Sequence, residues 1–327
     1  MRSPDSPVAA PAALSPVPVD PAPSSPPQTA RPGDRPGLAI VLVCAVSLIF
    51  AVQDGLARHL GAAYSPIFVT MVRYWFFAAF VVALAARGPG GLRAASRSHH
   101  PVLQITRGLL LVAEIVIMVA AFVKLGLIET HAVFTAYPLL VVALSGPVLG
   151  ERVGWRRWAA VGAGFVGILV ILQPGLRVFS PWAILPLVAA LMFAIYGLLT
   201  RMVSARDRPE VSFFWTGIAG VAGITMVGVW QMEPIARADW PWMAALCLCG
   251  VTSHYLLIRA YSLAEASSLQ PFSYTQLVWV SLIGFVLLGE RVAPNVIGGM
   301  VIIVGAGLFT WWRSLQRARE APAPAPR

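Results

Sequence analysis

The sequence predicts an all-α polytopic membrane protein of ten transmembrane helices, arranged as two inverted five-helix repeats. Three observations carry that prediction. Of the 327 residues, 58% are hydrophobic and only 12% are charged, and the mean hydropathy is +0.75. No soluble core buries that much apolar surface. The apolar residues gather into runs, each near the roughly 20 residues that a helix needs to cross a bilayer. Finally, Gly150-Glu151-Arg152-Val153 recurs as Gly289-Glu290-Arg291-Val292, 139 residues later, and both copies lie between apolar runs. Small residues follow each Glu by nine and by sixteen positions, Ala160 and Gly167 in one copy, Gly299 and Ala306 in the other. Positions seven apart share a helix face, and small residues there let helices approach closely in lipid. Duplicated halves of this kind are a signature of transporters.

In chain order, residues 1–37 hold eleven prolines and read as a disordered N-terminal tail. It lacks the basic start and early apolar run of a signal peptide. The first repeat spans 38–172 and the second 181–312. Ten spans are expected at 38–57, 66–86, 102–123, 131–149, 156–172, 181–200, 211–231, 241–259, 267–288 and 295–312. Residues 313–327, with four arginines and an Ala-Pro repeat, read as a second disordered tail. No run shows the roughly 10-residue alternation of a membrane β-barrel.

Lys and Arg set the orientation. With the N-terminus inside, the inner segments hold 17 of the 24 basic residues, the outer loops hold five, and Arg73 and Arg107 lie within spans. Both termini are therefore expected in the cytoplasm. Five spans per half is an odd number, so the halves insert with opposite orientation and the repeat is inverted. The net charge of +10 is spread between apolar runs, which excludes a nucleic-acid surface. Cys44, Cys247 and Cys249 all sit inside apolar runs and behave as small hydrophobes, with no metal or disulfide framework. No cofactor is implied, and no phosphate loop of the Gly-x-x-x-x-Gly-Lys type is present to use ATP.

The duplicated Gly-Glu-Arg before the last helix of each half resembles the EamA-type drug/metabolite transporter superfamily, over about 38–312. The stretch from Arg259-Ala260-Tyr261 through Pro271-Phe272-Ser273-Tyr274-Thr275-Gln276-Leu277 to Gly284 and Glu290 carries the resemblance most strongly. It is similar to bacterial riboflavin and S-adenosylmethionine uptake members, and related exporters share much of it. Asp54, Arg73 and Arg107 sit where members of this family carry an acid and two arginines. The resemblance implies transport of small metabolites (a vitamin such as riboflavin, a nucleotide derivative, an amino acid or a drug) across a bacterial inner membrane, through a cavity built by both halves. Pro138 of the first half has Leu277 as its second-half equivalent, so helices four and nine are expected to bend differently.

Among individual residues, Glu114 is the one acid deep in a span. An intramembrane charge is costly, so Glu114 should face a cavity or pair with Arg107 or Arg73; a coupled proton or ion is the partner it suggests. Arg73 could hold an anionic substrate group, while Arg107 is close enough to the inner end to snorkel. Asp54 should pair with Arg58 or Arg73. Cavity candidates are His131 and Tyr137 on helix four, His254 and Tyr255 on helix eight, and Tyr274, Gln276 and Trp279 on helix nine, polar or aromatic residues in apolar spans. Each single residue could equally be an interhelical hydrogen bond or a packed aromatic. Glu151 and Glu290 read as fold residues that brace a helix–helix turn. The competing class is a membrane-embedded lipid-modifying enzyme, which would need clustered catalytic groups at one interface. The loops 87–101 and 201–210 offer Arg and His without an acid cluster. Nothing in the sequence specifies an oligomeric state.

Overall fold

In the computed structural model the described residues are 35–149, 155–172, 180–264, 269 and 272–320. Among them there are helices and no strands. The helices are α1 (Pro36–Ala63), α2 (Pro66–Arg87), α3 (Gly91–Ser96), α4 (Pro101–Leu125), α5 (Leu127–Phe134), α6 (Tyr137–Leu149), α7 (Trp155–Leu172), α8 (Ile184–Val203), α9 (Pro209–Gly228), α10 (Trp240–Leu263), α11 (Thr275–Leu287) and α12 (Pro294–Glu320). Proline opens α1, α2, α4 and α9. Its missing N–H costs nothing at the first helical turn, and its fixed φ suits the helix.

Seven helical segments are long and apolar enough to cross a membrane: Gly37–Ala63, Pro66–Arg87, Pro101–Leu125, Leu127–Val148, Pro181–Val203, Pro209–Gln231 and Arg237–Leu263. Three shorter apolar helices, Trp158–Ile171, Thr275–Leu287 and Pro294–Phe309, fall at the fifth, ninth and tenth runs. Large apolar side chains such as Phe76, Phe80, Phe165 and Phe285 point outward, as a lipid-facing surface requires.

First-half helices pack mainly on second-half helices. The α1 helix lies along α10 and α11, α4 along α8 and α9, α6 along α8, α2 along α9, and α7 along α12. At α7 and α12 the duplicated small residues meet. A Cβ on Gly167 would stand 2.9 Å from the Gly299 carbonyl oxygen, and one on Gly299 would stand 2.6 Å from that of Gly167. The two backbones touch, and only glycine permits it.

Several boundaries differ from the sequence reading. Span four begins at Leu127, not 131, because Gly126 (φ 89°) turns the chain sharply out of α4. The α12 helix runs to Glu320, so 313–320 continue the last helix instead of starting a tail. The α5–α6 break falls at Thr135 and Ala136, just before Pro138, whose ring cannot continue the helical ladder. Helix nine also breaks, at Tyr274, although Leu277 replaces the proline; the Leu277 N–H donates to the Tyr274 carbonyl across a tight turn. The two helices are thus both interrupted at equivalent positions. Gly150–Val153, with Glu151, lies outside the described residues.

Glu290 braces a different element from the one expected. Its carboxylate accepts the N–H groups of Leu127 (2.8 Å) and Ile128 (2.9 Å). It therefore caps α5 of the first half rather than the turn it sits in. Helix N-termini leave such N–H groups unsatisfied and favour a negative charge.

Candidate functional site

A narrow cavity of ≈ 60 Å³ lies between the halves, lined from α1, α2, α4, α5, α6, α8 and α10 and by Ser273 and Gln276. Its polar groups form two clusters joined by adjacent residues of α1. In the first, Arg73 Nη2 donates to Gln53 Oε1 (3.2 Å) and to His254 Nε2 (3.2 Å), and Ser253 Oγ donates to the same Gln53 oxygen (3.2 Å). A guanidinium has only donors, so His254 accepts through Nε2 and carries its proton on Nδ1. That nitrogen is buried with no partner among the described residues. In the second cluster Asp54 Oδ2 accepts from Gln276 Nε2 (3.2 Å), and His131 Nε2 lies 3.1 Å from it.

Glu114 lines the same cavity as Asp54 and Arg73. It is 4% exposed and makes no ion pair within 4 Å among the described residues. An aromatic wall closes the flank beside His131. Phe122 stacks on His131 at 5.4 Å, and Phe193 meets Phe134 at 5.5 Å and Tyr137 at 4.9 Å.

Of the residues singled out in the sequence, Arg73, Glu114, His131, Tyr137, His254 and Gln276 are brought together around this space. Three others are not. Tyr255, one step round the helix from His254, packs edge-on against Phe213 at 5.4 Å. Tyr274 sits at the helix break and turns toward α12, where a Cβ on Gly307 would stand 2.0 Å from its hydroxyl. Trp279 is 37% exposed on the outer surface, since Gln276 and the fully buried Val280 share the inward face of α11.

Two expected pairings also fail. Asp54 engages His131 and Gln276, not an arginine. Arg107 neither snorkels nor meets Glu114. It is fully buried and donates to Thr200 Oγ1 (3.1 Å), the Ser212 carbonyl (3.0 Å), Thr216 Oγ1 (2.8 Å), Tyr196 Oη (3.3 Å) and Gln104 Oε1. Gln104 in turn donates to Asp207 Oδ2 (2.9 Å). Arg107 is thus a buried tie between α4, α8 and α9, its charge answered through Gln104 by an acid in the loop.

Sequence reasoning missed Ser47, Phe50 and Gln53 on α1, Phe193 on α8, and Asp207. The pair Gln53-Asp54 inside an apolar run was a readable signal. So was Asp207, a lone acid between Arg206 and Arg208.

A membrane-embedded helical bundle whose two halves enclose a small polar cavity with an aromatic wall is the architecture of a transporter. The EamA-like transporter family matches residues 37–173 and 180–312, and the chain belongs to it. A riboflavin transporter of Rhizobium johnstonii is 30% identical over 69% of this chain and 76% of its own length. One from Vibrio cholerae is 26% identical over 84% and 93% respectively. An S-adenosylmethionine uptake transporter of Rickettsia prowazekii is 24% identical over 79% and 87%. A solved crystal structure, 19% identical, superposes with a TM-score of 0.65 over 86% of this chain and all of that one, and shows the shared fold.

Proposed function

We propose that this protein is a secondary transporter that moves a small organic metabolite across the bacterial inner membrane by alternating access. The observation that carries this reading is the central cavity, because it draws its polar groups from both halves and from helices that break there. At ≈ 60 Å³ it is far below the roughly 300 Å³ and more of small-molecule sites. Loading therefore requires the helices to part, as rocking of one half against the other would achieve. Aromatic faces beside amide, imidazole and guanidinium groups suit a flat, hydrogen-bonding molecule. A vitamin such as riboflavin fits that description, as do the names of the relatives.

In this reading the chain crosses ten times, with repeats at 38–172 and 181–312, and both termini are cytoplasmic. The packing supports two repeats related by exchange. Exchanging each span for its equivalent in the other half turns the α1–α10 contact into α8–α4 and the α1–α11 contact into α8–α6, while α2–α9 and α7–α12 map onto themselves. Loop contacts support the crossing count. Tyr64–Asp239 and Leu127–Glu290 gather at one end, and Ser98–Asp207 and Arg259–Glu210 at the other. Glu114, buried and facing the cavity, is the group we assign to loading and releasing a coupled proton.

Cysteine labelling tests the cavity assignment. In a background lacking Cys44, Cys247 and Cys249, Gln276→Cys should react with small aqueous thiol reagents and be protected by riboflavin. Trp279→Cys, on the outer face, should show no protection. Equal protection at both positions, or none at Gln276→Cys with any transported compound, would count against the assignment.

A further inference from the structure

Away from the central cavity, two grooves meet where α2 ends and α9 begins. One, of ≈ 520 Å³, is lined by Arg93, Arg97, Arg206 and Arg208 with His99. The other, of ≈ 630 Å³, is a cleft lined largely by apolar residues of α2, α9 and α10, including Val81, Leu84, Phe213 and Phe214. They share Ala94, Arg208 and Val211 and so form one continuous surface, polar at one end and apolar at the other.

The four arginines are exposed, and no acid pairs with any of them among the described residues. The one acid of the basic groove, Asp207, faces inward and is saturated: it accepts from the His99 N–H (2.8 Å), Ser98 Oγ and Gln104 Nε2 (2.9 Å), with His99 Nδ1 at 3.0 Å. Glu210, in the apolar cleft, lies 3.7 Å from Arg259. The groove therefore keeps a strong positive field beside an apolar trough. An ordinary inner loop also carries arginines, because they orient the helices. Orientation alone does not require them to converge on a groove that opens into an apolar cleft.

We propose that the two grooves form one site for an anionic phospholipid, its phosphate held by the arginines and an acyl chain lying in the cleft. Arg offers planar, paired donors that match phosphate oxygens, and basic pockets at the ends of transmembrane helices select anionic headgroups. Leu84, in the lining of the cleft, and Leu92, beside Gly91, carry exposed apolar side chains that an acyl chain could cover. The proposal goes beyond the transport reading and holds whether or not that reading survives, since lipid binding is measured directly.

The test uses the full-length protein, delipidated in neutral detergent, with binding followed by native mass spectrometry. Dioleoyl-phosphatidylglycerol should bind and dioleoyl-phosphatidylcholine should not. Each arginine near the surface contributes roughly 5-fold in affinity. R97Q/R206Q should therefore bind phosphatidylglycerol about 25-fold more weakly, while R87Q, outside the groove, should match the wild type. A95W, which fills the cleft, should weaken phosphatidylglycerol binding without touching an arginine. If the double variant does not elute as the wild type does, R93Q alone should still show the roughly 5-fold loss. Equal binding of the two lipids overturns the proposal. So does an arginine variant indistinguishable from R87Q, and so does inorganic phosphate competing as well as the lipid, which would mark a soluble-anion site.

Discussion

Replacing Glu290 should destabilise the protein without redirecting what it carries. The carboxylate caps α5 by accepting from Leu127 and Ile128 at 2.8 and 2.9 Å, its side chain is 16% exposed, and Arg58 Nε lies 3.7 Å away. Hydrogen bonds to a charged group contribute about 1.5–3 kcal/mol each, and a lost cap costs about 0.5–2 kcal/mol. Glu290→Ala leaves two N–H groups without a partner, so about 3 kcal/mol should be lost. Glu290→Gln keeps one oxygen but turns an amide N–H toward a backbone N–H, for a loss of about 1.5 kcal/mol. At roughly 2 °C per kcal/mol for a chain of this size, the midpoint should fall by about 6 °C and about 3 °C. Heating detergent-solubilised protein and reading the surviving monodisperse peak by fluorescence gives both values. A Glu290→Ala midpoint within 1 °C of the wild type would refute the capping argument. A normal midpoint with an altered substrate profile would place Glu290 in transport instead.

Three further outcomes follow from the polar groups. Burial alone would push the Asp207 carboxyl up, but the His99 N–H and the side chains of Ser98, Gln104 and His99 outweigh it and hold it at about 2, against an ordinary 3.8. A depressed carboxyl stabilises the fold above its unfolded value and loses that stability as pH falls toward 2. The wild type should therefore exceed Asp207→Asn by about 2 kcal/mol at pH 6, and the gap should close between pH 5 and pH 2; a gap independent of pH would contradict this. Arg107→Lys, which gives up the planar fork among five acceptors, should lower the thermal midpoint by more than 3 °C, whereas Arg73→Lys should fold normally and alter transport; equal midpoints for the two would merge roles that the geometry separates. Glu114→Gln should lose accumulation driven by a pH gradient yet keep substrate exchange at equal pH, and intact gradient-driven accumulation would end the proton-carrier assignment.

The apolar runs and the duplicated Gly-Glu-Arg-Val were legible in the sequence because bilayer thickness and close helix packing impose strict patterns. The matched small residues marked faces for close helix packing, and the structure shows two of them, Gly167 and Gly299, meeting. What stayed hidden depends on rotation about helix axes and on contacts between the halves. His254 and Tyr255 are neighbours in sequence, yet 100° of rotation sends one to the cavity and the other to Phe213. Helix nine breaks although Leu277 stands where helix four has Pro138, so the Pro138–Leu277 difference misled. Glu290 finds its partners 162 and 163 residues away, and no local pattern encodes that reach. Arg107 looked able to snorkel from its depth, but five neutral acceptors on α4, α8 and α9 satisfy it in place.

The central claim is that a small organic metabolite passes through the space lined by Arg73, Glu114, His131, His254 and Gln276. Its most direct test is uptake of radiolabelled riboflavin, with S-adenosylmethionine and amino acids alongside, into proteoliposomes holding wild-type protein or Gln276→Trp. The wild type should accumulate at least one of these compounds. Gln276→Trp, which fills a cavity of only ≈ 60 Å³, should fold and reconstitute yet carry none of it. Undiminished uptake by folded Gln276→Trp would contradict the account.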